Sequence, residues 1–464
     1  MENSNYDLVI VGLGVTGGMF LQRLLAYGGG RRIAVVEAGR MWYPTEAATL
    51  KEKGHIRDTA STDDRPIKIR YGSGDSLVRR WWAPKLAGGG SLLWYGQLHR
   101  FDKFDTSPML LEKYLNANNH ELRNWPVTAD EFSIYYDEVC NYLRPFAVEA
   151  SSAEVANGVR LRGKKSGLES TVYRHLLEKI NMGVNFPLSC IGGIRWDNFP
   201  FDPVSNTYRL DTAPLAVRPN IFTKICERLR EESTVTVLDN CITKELLHKH
   251  GKVSGVSIID TRSNSEKKIY SPIVVLACGA IESIRLTLVS KIESNYAIGA
   301  GFTFTNEATR YIETDIKREQ SEQEDGLESF ASISAEDAVD YEGALRGKFS
   351  IYNAKCFETA DRFLASTSLA PAHRNSYFCK ADEKYFLKIS FKGESVPWSK
   401  KRVKLSPSYS INGIRLVQID YELHQLDREI ISNGIQRIGE IAKALDGRVL
   451  PAAEIFDYSS AHQH

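Results

Sequence analysis

The chain has 464 residues, 42% of them hydrophobic and 25% charged, with a formal net charge of +1. That length holds two or three domains with a sizeable core, and the composition is that of an ordinary globular protein. A near-zero charge balance gives no reason to expect a nucleic-acid partner, and no stretch reaches the roughly 20 apolar residues of a membrane-spanning helix.

YDLVIVG, from Tyr6, is a short apolar run ending in glycine, the pattern of a buried parallel strand. VTGGMFLQRLLAYGG follows with Phe20, Leu21, Leu24 and Leu25 at helical spacing, and RRIAVVEAG reads as a second buried strand. These pieces make one βαβ unit. Residues 40–107 read as loop-rich. ADEFSIYYDEVCNYL, residues 129–143, predicts an amphipathic helix, and 151–215 reads as irregular. A helix is expected after Pro219, then strands split by a turn at His250-Gly251-Lys252, then the apolar strand SPIVVLACG and a further helix beyond Gly279. Residues 315–345 are acidic and polar, a solvated excursion. KYFLKISFKG, KRVKLSP and IRLVQIDYEL read as strands. DREIISNGIQRIGEIAKALDG then predicts a helix capped by Asp427, apolar at Ile431, Ile435, Ile438 and Leu445, and stopped by Gly447.

The chain has seven cysteines, scattered and without a CxxC pair, and no N-x-Ser/Thr sequon. The N-terminus runs into the first strand without a basic leader. The expectation is free thiols in a reducing compartment, hence a cytoplasmic protein.

Gly12-Leu-Gly14-Val-Thr-Gly17 carries the strongest chemical signal. Gly12 permits a tight turn, Gly14 lets the backbone approach a pyrophosphate, and Gly17 lets helix and strand pack closely. The helix start supplies free N–H donors and a positive dipole end. Glu37 closes the second strand, where a carboxylate takes a ribose hydroxyl pair and repels a 2′-phosphate. A dinucleotide site follows, and NADP is disfavoured. Gly88-Gly89-Gly90-Ser91 and Ala277-Cys278-Gly279 are two further glycine-marked places. Each reads equally well as close passage to a ligand or as plain tight packing. Trp81, Trp82, Trp94 and Tyr95 read as stacking faces for a sugar ring or as core. Arg40 lies beside cofactor phosphates or faces solvent. There is no P-loop, no HExxH, no G-x-S-x-G elbow and no zinc-like Cys/His spacing, so no metal ligand is assigned.

Taken in order, VIVGLGVTGG with VVEAG, AGGGSLLWYGQLHRF, TVTVLDNCITKELLHKHGKVSGV with VVLACGAIESIRLTLVS, GESVPWSKKRVKLSP and SSAHQH resemble the glucose–methanol–choline family of FAD-dependent oxidoreductases, on its pyranose-oxidase and gluconate-dehydrogenase side. The resemblance implies an α/β fold with a discontinuous Rossmann-like FAD-binding domain, residues 1–150 and 215–310 with 451–464 returning to it. It implies a second α+β substrate domain on a sheet, from 151–214 and 311–450. Gly12, Gly14, Gly17, Glu37, Arg40, Gly89, Gly90, Ser91, Trp94, Ile242, Ala277 and Gly279 would contact FAD, with the Ile242 backbone near the adenine. Leu93 stands where pyranose oxidases carry a flavin-linked histidine, so FAD is expected to be non-covalent.

The implied activity is oxidation of a CH–OH group of a sugar or polyol, a small-molecule alcohol substrate, by hydride transfer to flavin N5. His462 would be the base and His464 its substitute. The electron acceptor and the oligomeric state are left open. Members of the family continue past that histidine with a glycine-rich turn, a second catalytic His or Asn and a flavin-contacting strand–helix block. This sequence ends at His464, and the expectation is truncation, with completion by another chain or a degenerate relative as alternatives. An inactive or incomplete flavin-fold subunit is therefore the rival reading. An NAD-dependent dehydrogenase is a third, sharing the N-terminal fingerprint but giving no reason for Gly88–Gly90.

Overall fold

The computed structural model describes residues 5–41 (Gly29 apart), 66–71, 76–80, 85–92, 106, 125–143, 154–156, 159–161, 189–190, 201–202, 207–208, 225, 228–229, 232–292, 298–317, 331–334, 347–353 and 384–450. In chain order these hold β1 (Leu8–Val11), α1 (Val15–Ala26), β2 (Ile33–Val36), β3 (Pro66–Tyr71), β4 (Ser76–Arg80), a 3-10 turn at Gly89–Leu92 and α2 (Ala129–Leu143). Five short strands follow, β5 (Glu154–Ala156), β6 (Val159–Leu161), β7 (Ser189–Cys190), β8 (Phe201–Asp202) and β9 (Thr207–Tyr208). Then come β10 (Val235–Leu238), β11 (Cys241–Lys249), β12 (Lys252–Asp260), β13 (Ser265–Tyr270), β14 (Val274–Leu276) and α3 (Ala280–Val289). The last described part holds β15 (Asn306–Lys317), β16 (Ala331–Ser334), β17 (Gly347–Asn353), β18 (Lys384–Gly393), β19 (Arg402–Tyr409), β20 (Arg415–Tyr421), α4 (Gln425–Ala444) and β21 (Gly447–Val449).

The architecture is mixed α/β, and the sheet that matters most is the parallel one, ordered β10-β2-β1-β14. LVIV and IAVV are buried at every position, because both faces of this sheet are covered. Alternation sorts the side chains. Leu8, Ile10, Ile33 and Val35 pack with Leu21 of α1 and with Ile225. Val9, Val11, Ala34 and Val36 pack with Val256, Ile258 and Ile269 of the β11-β12-β13 sheet and with Leu286 of α3. Each Val, Leu or Ile side chain among them contributes about 1.5–3 kcal/mol by leaving water. Of the apolar residues predicted to face the core along α1, Phe20 is 41% exposed. Gly17 and Gly18 take the buried face beside Leu21, so the helix sits too close to the sheet for a bulky neighbour there.

Residues 66–71 and 76–80 are strands, not loop, and β3 pairs in parallel with β20 and antiparallel with β4. PIKIRY alternates, with Ile67 and Ile69 buried. α2 spans the predicted 129–143, and the predicted turn at 250–252 joins β11 to β12. The helix expected after Pro219 lies largely outside the described residues, as does most of 315–345.

α4 packs on an eight-stranded sheet, β21-β15-β18-β17-β16-β7-β6-β5. Two expectations about its ends are corrected. The N-cap is His424, whose Nδ1 accepts the Leu426 amide, while Asp427 sits at the third helical position and its Oδ2 takes the His424 amide at 2.8 Å. At the other end Asp446, at φ 49°, adopts the left-handed conformation, and Gly447 opens β21. Among the described residues no helix is long and apolar enough to cross a membrane.

Candidate dinucleotide site

All four strands of the parallel sheet run the same way, so their C-terminal ends share one edge. β1 has β2 on one side and β14 on the other, and the crevice above such a reversal is where α/β sheets bind ligands. Three chain segments meet there: 12–14 after β1, 37–41 after β2 and 277–279 after β14.

Gly12 has φ +98°, and a Cβ on it would stand 2.6 Å from the Ala277 carbonyl oxygen. A Cβ on Gly17 would stand 2.0 Å from the Gly12 carbonyl oxygen. These two glycines are required by the chain's own packing. Gly14 is different. A Cβ there would meet only the Cα of Gly89, at 3.9 Å, so its missing side chain leaves open space. Gly14 is also the N-cap of α1 and makes no side-chain cap bond, and the first turn carries no acidic residue. Gly279, at φ 83°, caps α3, again with no side-chain cap bond, but the first turn there carries Glu282. Two helices thus present uncapped amides and positive dipole ends at this edge.

Leu13 stitches three segments together. Its amide donates to Glu37 Oε2 at 2.8 Å, and its carbonyl accepts the Gly88 amide at 2.8 Å. Glu37 is 6% exposed, and its other oxygen accepts the Gly39 amide at 2.7 Å. Burial pushes the Glu37 carboxyl above its usual range, against the pull of the Gly39 and Leu13 amides. The residue assigned from sequence to a ribose is therefore also a clasp on the loop after β1.

The glycine loop sits directly against this clasp. Gly88 and Gly89 have φ +99° and +50°. A Cβ on Gly89 would stand 3.1 Å from the Gly14 Cα, whereas one on Gly90 would meet nothing within 4 Å. Ser91 is buried, and its hydroxyl donates to the Gly88 carbonyl at 2.6 Å, closing the turn. Arg40 pairs through its backbone with Leu86 and is exposed at its side chain. Ile242 is buried against Ala38, Ile259 and Ile414, next to Cys241, whose amide donates to the Glu37 carbonyl at 2.9 Å. The Ala277 amide donates to the Val11 carbonyl at 2.8 Å. The structure thus brings Gly12, Gly14, Gly17, Glu37, Gly89, Gly90, Ser91, Ala277 and Gly279 to one place. Leu93, Trp94, His462 and His464 lie outside the described residues.

Two contributors were not picked out from sequence. Gly39 is needed because a Cβ there would stand 2.2 Å from the backbone of Lys85 and Leu86. Its position two residues after Glu37 was the available signal. Asp239 accepts the Met41 amide at 3.0 Å and fixes the chain after Glu37. Nothing local in the sequence pairs residues 41 and 239. Among the described residues no group of three or more His, Cys, Asp or Glu could hold a metal ion.

No protein-family model matches the chain, and no curated protein matches it. Solved structures do match in fold. Pyridoxine 4-oxidase from Mesorbium loti aligns over 98% of this chain and 86% of its own length, with TM-score 0.54 and 15% identity. A formate oxidase aligns over 98% of this chain and 84% of its own, with TM-score 0.54 and 13% identity. A variant of Aspergillus oryzae formate oxidase, made to study FAD modification in that enzyme, aligns with TM-score 0.52, 13% identity and the same coverage. The chain shares the fold of these enzymes.

Proposed function

We propose that this chain is an FAD-dependent oxidoreductase of the glucose–methanol–choline type that oxidises a CH–OH group of a sugar-like or polyol substrate. The observation that carries the reading is the cradle at the parallel-sheet edge, where the open side of Gly14 meets the glycine loop at Gly88–Gly89. An NAD enzyme needs the first element and not the second. The likeness in fold to enzymes that are oxidases by name supports the same reading.

The residues fit the cofactor. Gly14 and the uncapped start of α1 would receive the pyrophosphate on backbone amides. Glu37 would hold the ribose hydroxyls while keeping Leu13 in place. The Gly88–Ser91 turn, held shut by the Ser91 hydroxyl, would lie against the flavin end of the dinucleotide. Bound here, FAD would supply the hydride acceptor at N5. This chain would supply position and a base. A neutral imidazole with an ordinary pKa of about 6.5 suits removal of the hydroxyl proton, and such a base is worth about 100- to 10,000-fold in rate. His462 is the proposed base and His464 its substitute. With Leu93 at the position of the flavin-linked histidine, FAD is held non-covalently. The domain division and cytoplasmic location given above belong to the same proposal.

The test is anaerobic flavin reduction by a panel of sugars, polyols and simple alcohols. Bleaching of the flavin by at least one polyhydroxylated compound is expected. A flavin-loaded protein that no alcohol reduces, while a nicotinamide cofactor does, would overturn the reading.

A further inference from the structure

One face of the β19-β20-β3 layer is apolar: Val403, Ile419 and Ile69 stand in register and pack under Ile281 and Ile284 of α3. Alternation sends their neighbours Arg402, Asp420 and Arg70, also in register, to the other face. There they line an open cleft of about 250 Å³ with Lys400, Lys404 and Glu422. Four cations meet two carboxylates in it.

The two carboxylates are already engaged. Asp420 accepts from Arg70 Nη2 at 2.9 Å, from Gln418 Nε2 at 2.8 Å and from Lys404. Partial burial pushes Asp420 up, but the bonds from Lys404, Gln418 and Arg70 outweigh it and hold the carboxyl below its usual range. It stays charged and fully used near neutral pH. Glu422 accepts from Lys400 at 2.9 Å. Among the described residues Arg402 makes no ion pair with a carboxylate, and its Nε is closed off from water and without a hydrogen-bond partner. A guanidinium carries five donors in a planar fork that matches an oxyanion. An anion in the cleft would pair with the part of the Arg402 guanidinium that lines it, at charge-assisted strength.

We propose that this cleft is a binding site for a small dianionic oxyanion, inorganic phosphate or the phosphate of a monoester, with Arg402 as its anchor and Lys404, Arg70 and Lys400 as the surrounding positive field. A dianion matches the excess of two positive charges. The volume, about eight waters' worth, leaves room for an organic group beyond the phosphate. The site does not depend on the flavin reading, since it lies on the side of the strands away from α3.

The test is calorimetric titration of the full chain, saturated with FAD where it binds, at constant ionic strength. The probes are sodium phosphate, glycerol phosphate and, as a comparator, sodium chloride. Saturable one-to-one phosphate binding is expected, at least tenfold weaker in Arg402→Gln. Lys404→Gln, at a half-exposed residue, should weaken it several-fold and serves if Arg402→Gln does not fold. Glycerol phosphate binding tenfold tighter than phosphate would assign the natural ligand to the monoesters, and equal binding would assign it to free phosphate. Absence of saturable binding, or binding unchanged in both variants, would overturn the proposal. The second of these would mean that phosphate sits elsewhere, for example on the amides of α1.

Discussion

Gly14 and Gly89 stand back to back, so that a Cβ on Gly89 would reach within 3.1 Å of the Gly14 Cα, while one on Gly14 would keep 3.9 Å from Gly89. The asymmetry separates a glycine that the chain's own packing requires from one that it does not. Gly14→Ala should change stability by no more than about 0.5 kcal/mol, as for an unstrained site. It should weaken FAD binding at least tenfold, because the new methyl enters the open space where the pyrophosphate is proposed to lie. Flavin content and thermal melts of the same preparation check both halves. Undiminished flavin content in Gly14→Trp would remove the pyrophosphate from this loop altogether.

Gly89→Ala should behave in the opposite sense. The residue sits at φ +50°, where a Cβ costs roughly 1–2 kcal/mol, and the contact with Gly14 adds to it. Loss of stability should be measurable without any cofactor present. Gly12→Ala is expected to be worse, at roughly 2–4 kcal/mol, since positive φ and a 2.6 Å approach to the Ala277 oxygen coincide. An unaltered melting temperature in Gly12→Ala would contradict the close packing of β1 on β14.

Glu37→Gln leaves one amide of the pair, Leu13 or Gly39, facing an NH2 group instead of an oxygen. The expected cost is about 1–3 kcal/mol. The pH dependence has a definite sign. Burial holds the Glu37 carboxyl above its usual value, so its contribution is full below the unfolded pKa and is lost as pH rises through the folded one. The stability gap between wild type and Glu37→Gln should therefore be smaller at about pH 7 than at about pH 4. A gap that widens with pH would show that the two amide bonds dominate over burial.

Lys401 and Asp427 are both fully buried, with Nζ 2.5 Å from Oδ2. Lys401 also donates to Ser395 Oγ and the Val396 carbonyl, and Asp427 also accepts the Val396 and His424 amides and Asn306 Nδ2. Burial holds the Lys401 ammonium below its usual value, against the pull of Asp427. Lys401→Met should cost roughly 3–5 kcal/mol by stranding the carboxylate. Adding Asp427→Asn to it should cost less than the sum of the two single changes, which a double-mutant cycle by denaturant melts would show. Additive losses would mean the pair is not coupled.

Much of the site is written locally, and its fastenings are not. Gly12, Gly14, Gly17 and Glu37 follow from one strand–turn–helix–strand pattern whose spacing is dictated by the turn itself. The triple glycine could be read either as ligand approach or as tight packing. Gly89 against Gly14 shows packing, while Gly90 and the open side of Gly14 leave room for a ligand. What the sequence hides is contact between distant segments, such as Gly39 under Lys85–Leu86 and Asp239 on the Met41 amide. The strands at 66–71 and 76–80 escape a reading of the sequence for the same reason. β3 pairs with β20, some 350 residues away, as the Arg70–Asp420 bond records, and among the described residues β4 is held only through β3. The cap of α4 was misplaced by one turn because Asp427 resembles a capping residue and serves instead as the partner of one.

The most direct measurement is the absorption spectrum of the purified full chain, followed by heat precipitation and analysis of the supernatant. A flavin spectrum and free FAD released into solution are expected. A colourless protein that also fails to take up added FAD would contradict the central claim. Flavin that stays with the precipitate would contradict its non-covalent attachment.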